Sequence, residues 1–527
     1  MSQPPSSAES PLEKRSVVSS FLFSSSAGSP RVALFKRSEK VRTYKHRLAP
    51  VSGSIDKGET PIAAAWREIK EETTLTPQDL ELWRQGTPYT FGDPSIGRKW
   101  IIYPFAFRFK NASKGGRGET AIQIDWEHER WEWYDPQDVV DDESFGGVPR
   151  LADSLRRVYF EMWLNERASG ALQSGLEQLK SDHSSGSNEL TTIGIKAFRD
   201  VLAHLEVQEN WWETICVAAW HLWKNGRESM GSATLNALLG ILEDIDAIRN
   251  QGHPDDWNKI LGVVDYHLQS RRKITTQIIE SLTAYLNSTI FTDQPPKQAR
   301  KFTVLTVSSS STVRDGIEEI FKSSPETSHL DLRILESRPL FEGVSMASAL
   351  VTGLESFSRN DRSKRLSVNV YTDAAAAIAG QNIDCVLLGA DRISSTGSVS
   401  NKTGSLPAVL CAKHVSPQAK IVVLSSLEKV AASDQDSESL EEENDPAEVT
   451  SGWATSGVQG WQSLDEGSNA ETAWCSVRVR NTYFEWVPSD LIDIFITDQG
   501  PLGTSEIRRT ATEVQKRTER YFGSPES

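Results

Sequence analysis

Apolar and polar positions along this chain change period twice. Residues 17–23 and 31–37 are short apolar runs of strand character joined by a Ser/Gly turn, and 100–109 is a third run after a Gly/Asp/Pro-rich loop. Between them Ile62, Ala65, Trp66 and Ile69 fall at i, i+3, i+4 and i+7, one apolar face of a helix. Thr60 suits the cap of that helix and Pro61 its first position. A short strand is expected over 121–124, and 150–164 has helical spacing. Residues 169–188 carry Gly, Ser and Asp in quantity and read as a linker. From 189 to 292 apolar residues recur at helical spacing, over 193–205, 211–223, 232–248 and 274–286.

From Lys301 the pattern alternates. Apolar runs at 302–307, 331–335, 367–372, 385–389, 420–424 and 492–497 are separated by helical segments at 313–322, 344–357, 374–380 and 405–414. Strands buried on both faces read as continuous apolar runs, so this alternation predicts a parallel, doubly wound sheet. Residues 431–478, rich in Asp, Glu, Ser and Gly, read as an acidic disordered insertion.

Composition narrows the function classes. A net charge of −15 argues against a dedicated binder of nucleic acid or of membrane surfaces. No apolar run reaches membrane-spanning length, and the polar start of the chain lacks a signal-peptide core. Cys216, Cys385, Cys411 and Cys475 have no metal-ligand spacing and imply a reducing compartment. A cytoplasmic protein of about three domains is expected.

Glu68, Glu71 and Glu72 fall at i, i+3 and i+4 and share one helix face. Three carboxylates so close repel unless a cation sits among them. Oxygen ligands suit a hard divalent ion, Mg²⁺ or Mn²⁺, able to bridge a diphosphate and activate water. The basic stretch 36–47, with Arg37, Lys40, Arg42, Lys45 and Arg47, offers phosphate contacts.

The spacing Gly53, Glu59, Arg67, Glu68, Ile69, Glu71, Glu72, Leu75 resembles the Nudix box, departing only at Thr74, where the box has glycine. The resemblance implies an α/β/α sandwich that hydrolyses a nucleoside diphosphate linked to another moiety. Glu68, Glu71 and Glu72 would hold the metal, Gly53 would offer its carbonyl, and Arg67 would brace Glu59. It also implies a further glutamate within 126–133 as metal ligand or base. Glu127 fits best, and Glu129 is the other candidate. Thr74 at the helix exit resists the positive φ that glycine supplies.

Polar residues also gather at the carboxyl ends of the later strands: Ser308–Thr312, Glu336-Ser337-Arg338, Thr372-Asp373, Gly389-Ala390-Asp391 and Asn401-Lys402. In such sheets ligands sit there. Arg338, Lys402 and the serine-rich loop with Ser308 and Ser310 could neutralise a phosphate, so this sheet edge is a candidate small-anion pocket. Glu-Ser-Arg-Pro at 336–339, Thr-Asp-Ala-Ala at 372–375 and Gly-Ala-Asp-Arg-Ile…Asn-Lys-Thr-Gly at 389–404 resemble one superfamily. It holds the alpha, beta and delta subunits of translation initiation factor 2B together with methylthioribose-1-phosphate and ribose-1,5-bisphosphate isomerases. The resemblance adds Asp391 and Asn401 to the ligand-binding residues of that pocket.

The isomerases pair a cysteine with an aspartate. Asp391 fills the aspartate position, but Ser308 aligns with the cysteine, and a hydroxyl cannot take that role near neutral pH without a base beside it. The resemblance therefore implies a module that binds sugar phosphates or nucleotides, with weak or no isomerase activity. It also makes a homodimer or association with initiation factor 2B subunits plausible. The expected organisation is a disordered tail at 1–14, the Nudix domain at 15–165, a linker at 166–188, a helical subdomain at 189–292, a Rossmann-like domain at 293–505 and a tail at 506–527. Alternatives are a regulatory subunit with a non-catalytic Nudix part, or a sugar-phosphate isomerase.

Overall fold

A computed structural model describes residues 12–523 apart from 25–29, 112, 114, 183–184, 207–209, 228–230, 252–255, 292–299, 324–326, 361–364, 433–443, 463 and 465–476. Residues 1–11 of the expected tail and about half of the expected insertion at 431–478 lie outside the described residues, and the tail's last two residues already belong to a strand.

The first body is a mixed sheet between two helices. Its strands are β1 (Glu13–Phe23), β2 (Val32–Arg37), β3 (Leu48–Ala49), β4 (Val51–Ser54), β5 (Leu80–Gln85), β6 (Tyr89–Asp93), β7 (Arg98–Phe109) and β8 (His128–Tyr134). The path runs β3-β2-β1-β7-β5, with β4 on β1, β6 on β7 and β8 on β2. Strand alternation assigns the two faces. Val18 and Leu22 of β1 pack with Ala64, Ala65 and Ile69 of helix α1 (Pro61–Thr73). Phe21 and Phe23 pack on the other face with Leu151, Leu155 and Val158 of helix α2 (Leu151–Val158). Thr60 caps α1 by accepting the Ala63 N–H at 3.3 Å. The strand expected at 121–124 is instead a 3₁₀ turn over Glu119–Ala121.

The second body is a layer of helices: α3 (Glu166–Ser181), α4 (Ser187–His204), α5 (Trp211–Lys224), α6 (Gly231–Asn250) and α7 (Trp257–Ser270). The expected linker at 166–188 is therefore wrong. Ala168, Leu172, Leu176 and Leu179 of α3 are buried against α4 and α5. Burying that apolar row outweighs the low helix propensity of the intervening Gly and Ser. Helix α8 (Ile274–Tyr285), expected to belong to this layer, instead buries Ile278 and Leu282 against the sheet that follows.

The third body carries β9 (Arg300–Val307), α9 (Ser311–Ser323), β10 (Thr327–Leu335), α10 (Glu342–Asn360), β11 (Arg365–Tyr371), α11 (Ala376–Ala379), β12 (Cys385–Leu388), β13 (Arg392–Ile393), β14 (Val399–Lys402), α12 (Ser405–Val415) and β15 (Lys420–Leu424). It continues with α13 (Ala447–Thr455), β16 (Phe484–Val487), β17 (Ile494–Thr497) and β18 (Gly500–Leu502). The main sheet runs β11-β10-β9-β12-β15-β17-β18. All pairs are parallel except β17–β18. This is the expected doubly wound sheet, and its connections reverse direction between β9 and β12. Helix α13 falls within the stretch expected to be disordered. Residues 506–527, expected to be a tail, lie largely in helix α14 (Thr504–Phe522). Val514, Tyr521 and Phe522 of α14 join the core of the second body, and Arg520 pairs with Asp246 at 2.6 Å.

The first and second bodies are joined by buried polar groups. The Trp220 indole N–H and the Asn225 amide both donate to the Gln85 carbonyl, at 2.8 and 2.9 Å. Arg84 is fully buried at the same edge and donates to both oxygens of Glu161 at 2.7 Å and to Gln173 of α3 at 2.9 Å.

Candidate functional site

Helix α1 and the β4 turn bring the box residues together. Arg67 is the centre of the cluster. Its Nε and Nη2 donate to the two oxygens of Glu59, each at 3.0 Å, and Nη2 also reaches the Ser54 carbonyl at 2.9 Å. Nη1 lies between Glu68 at 2.6 Å and Glu71 at 3.2 Å. The Glu68 carboxylate lies directly over Gly53: a Cβ there would stand 1.9 Å from Glu68 Cδ. Only glycine lets that carboxylate close on the turn.

Glu72 is buried. Oε1 accepts the Ser52 N–H at 3.3 Å, and Oε2 lies 2.6 Å from His128 Nε2. Burial pushes the Glu72 carboxyl well above its ordinary range, and the charges of Glu68 and Glu127 add to this. Burial likewise pushes the Glu68 carboxyl up, against the pull of Arg67. Burial lowers His128 to about 4. The Glu72–His128 contact thus favours neutral partners over an ion pair. Nothing in the residue spacing singled out His128. Its position opposite α1 depends on β8 pairing with β2, where His128 faces Arg37 in register.

Among the described residues no three His, Cys, Asp or Glu side chains are gathered closely enough to hold an ion. Arg67 stands between Glu68 and Glu71, and Glu72 turns to His128. The donor set nonetheless fits a hard divalent cation. It consists of carboxylate oxygens; burial raises the Glu68 and Glu72 carboxyls first, and the neighbouring carboxylate charges add a repulsion that a cation would offset. The carboxylate end opens into a cavity of about 600 Å³ whose lining includes Gly53, Glu68, Glu71 and Glu127. Trp100 and Phe91 also line it. Glu129 is directed away, pairing with His46 at 2.6 Å and Lys36 at 3.2 Å.

Thr74 ends α1 in the left-handed region, at φ 61° and ψ 3°, and its N–H donates to the Lys70 carbonyl at 3.0 Å. A β-branched residue there is strained by about 1–2 kcal/mol. Glycine relieves this but loses about 0.5–1 kcal/mol in backbone entropy. Thr74→Gly is therefore expected to stabilise the domain by about 0.5–1 kcal/mol, read as a higher urea midpoint. A lower midpoint would show that Thr74 is not strained.

In the third body the switch between β9 and β12 opens beside Ser308 and Gly389. A Cβ on Gly389 would stand 3.0 Å from Ser310 Oγ, so the two strand ends are in near contact. Ser308 is buried at φ 66°, and its hydroxyl donates to Glu342 Oε2 at 3.0 Å. Lys402 pairs with the other Glu342 oxygen at 3.1 Å. Ser308 thus stands beside a carboxylate, that of Glu342 at the first position of α10, which residue spacing alone did not bring to it. Burial pushes the Asp391 carboxyl up, with Lys429 and Lys402 opposing. Asn401 is buried and donates to Ser405 Oγ at 2.9 Å. Arg338 pairs with Glu336 at 3.1 Å, is exposed, and lines both a small cavity beside Glu342 and Lys402 and an adjoining cavity of about 540 Å³ with Thr403 and Asn481. The cavity bordered by Ser337, Glu342 and Lys402 holds only about 10 Å³, room for about one water.

Residues 13–158 match the NUDIX domain, and residues 257–504 match the Initiation factor 2 subunit family. The chain joins a NUDIX domain to an Initiation factor 2 subunit family domain. A methylthioribose-1-phosphate isomerase of Xanthomonas campestris pv. campestris (strain B100) is 30% identical over 146 residues, 27% of this chain and 37% of that protein. One of Bacillus cytotoxicus is 26% identical over 222 residues, 41% of this chain and 56% of that protein. The chain thus spans 37% of the first relative's length and 56% of the second's. One chain of the tetrameric eIF2B-beta2-delta2 complex from C. thermophilum superposes with a TM-score of 0.46 at 13% identity, over 66% of this chain and 96% of that one. Among the described residues no helix is long and apolar enough to cross a membrane.

Proposed function

We propose that the NUDIX domain hydrolyses the phosphoanhydride bond of nucleoside diphosphate derivatives. The observation that carries this reading is the convergence of Gly53, Glu68, Glu71 and Glu127 at one end of a cavity that also offers arginines and aromatic rings. Glu68, Glu71 and Glu72 would hold Mg²⁺ or Mn²⁺, which would supply Lewis acidity and a more acidic water. Arg67 fixes Glu59 and Glu68, so the turn and helix keep one geometry. Glu127 lines the cavity beside these carboxylates and takes the proton of the attacking water. Arg37 stands near the carboxylates and neutralises a phosphate oxygen, while Trp100 and Phe91 stack against a base.

The test is release of phosphate-ended products, separated by chromatography or read as phosphate freed from them by added alkaline phosphatase, from nucleotide sugars, dinucleoside polyphosphates and NADH, with Mg²⁺ or Mn²⁺ and with chelator. Metal-dependent release is expected from at least one class. No release from any, with metal bound, would favour a binding-only NUDIX domain.

For the C-terminal domain we favour a regulatory role over catalysis, because Ser308 stands where the resemblance implies the isomerase cysteine. Glu342 beside Ser308 supports the isomerase reading instead. Ketose formed from methylthioribose-1-phosphate and abolished by Glu342→Gln would establish that second reading.

A further inference from the structure

The NUDIX cavity carries more positive charge than a diphosphate bridge needs. Six cationic side chains line it, Arg15, Arg37, Lys40, Arg42, Arg98 and Arg150, against the three carboxylates Glu68, Glu71 and Glu127. Most already have partners. Arg15 pairs with Glu13 at 2.6 Å, Arg98 reaches Glu13 at 3.9 Å, and Arg150 lies 3.7 Å from Asp153. Arg37 donates to the Thr43 carbonyl at 3.2 Å. No ion pair or hydrogen bond of the Lys40 or Arg42 side chain is found among the described residues.

These two are not on a loose loop. Val41 between them is 4% exposed and anchors the segment. On one side the Lys40 N–H donates to Ser38 Oγ at 3.2 Å, and Ser38 Oγ donates to the Trp126 carbonyl at 2.8 Å. On the other, the Tyr44 hydroxyl donates to Asp93 at 2.7 Å and accepts the Trp100 indole N–H at 3.0 Å. The loop thus holds two unneutralised cations at the mouth of the cavity, and it is tied to the strands that carry Phe91 and Trp100.

We propose that the substrate's bridge contains three or more phosphates in a row, with Lys40 and Arg42 gripping those beyond the bond that breaks. This rests on the hydrolase reading and narrows its substrate class. Each added phosphate brings about one negative charge, and Lys40 and Arg42, both exposed, hold no partner among the described residues that it would have to displace. In the reaction water adds to one phosphorus and one P–O–P bond breaks. Two phosphate-ended products form and the displaced proton passes to a base.

The test is a series of dinucleoside di-, tri-, tetra- and pentaphosphates with Mg²⁺, comparing kcat/KM for each. Binding of methylene-bridged analogues to metal-free protein is measured in parallel by calorimetry. A rise of at least tenfold in kcat/KM and in affinity from the di- to the tetraphosphate is expected. In the Lys40→Ala/Arg42→Ala variant that ratio should fall toward one. Turnover that is flat or highest for the diphosphate, or an unchanged ratio in the double variant, overturns this proposal alone. No turnover across the series sinks the hydrolase reading and this proposal with it.

Discussion

Glu71→Gln is expected to lower kcat/KM of the NUDIX domain roughly 100-fold or more, the scale on which one lost electrostatic contact to a transition state is felt. The swap is nearly isosteric, so the loss reads chemistry rather than packing. Glu71 is the most exposed of the three carboxylates, at 58% of its side chain, and its one described contact is Arg67 Nη1 at 3.2 Å. Arg67 keeps Glu59 and Glu68 without it, so stability should move by no more than about 0.5 kcal/mol. Calorimetric titration with Mn²⁺ provides the second readout, and weaker uptake should accompany slower turnover. Glu72→Gln would be less decisive, because Glu72 also holds Ser52 and His128 inside the protein. Unchanged turnover in Glu71→Gln would remove Glu71 from the site.

The box was legible because its residues are local: Gly53, Glu59, Arg67, Glu68, Glu71 and Glu72 lie on one turn and one helix, where spacing alone sets neighbours. His128 and Glu342 were not legible in the same way. His128 meets Glu72 only because β8 pairs with β2, and Glu342 meets Ser308 only because two strand ends of a parallel sheet are adjacent. Partners set by long-range pairing leave no local signature. The order of the C-terminal strands was likewise hidden, although their alternation with helices announced the fold class.

The errors at 166–188 and 506–527 have another cause. Gly, Ser and charged residues dominate both stretches and mask the period of the few apolar ones. Yet Ala168, Leu172, Leu176 and Leu179 are spaced for one helix face, as are Ile507, Ala511 and Val514. A thin apolar row suffices when a neighbouring body supplies the rest of the core.

That dependence makes Arg84 the most sensitive point of the junction. Its guanidinium lies between the rings of Trp83 and Phe160, 4.0 and 3.8 Å from their centroids, and forks onto Glu161. Arg84→Met removes the charge, leaves Glu161 partly buried without its partner, and frees Gln173 of α3. A loss of about 3 kcal/mol or more is expected, as for breaking a buried ion pair from one side. In calorimetry the NUDIX domain and the helical layer should then melt separately, where the parent protein melts them together. Adding Glu161→Leu should restore part of the stability, because removing both charges costs less than stranding one. A change below about 1 kcal/mol in Arg84→Met would mean that the Gln85 contacts with Trp220 and Asn225, not the buried arginine, hold the two bodies together.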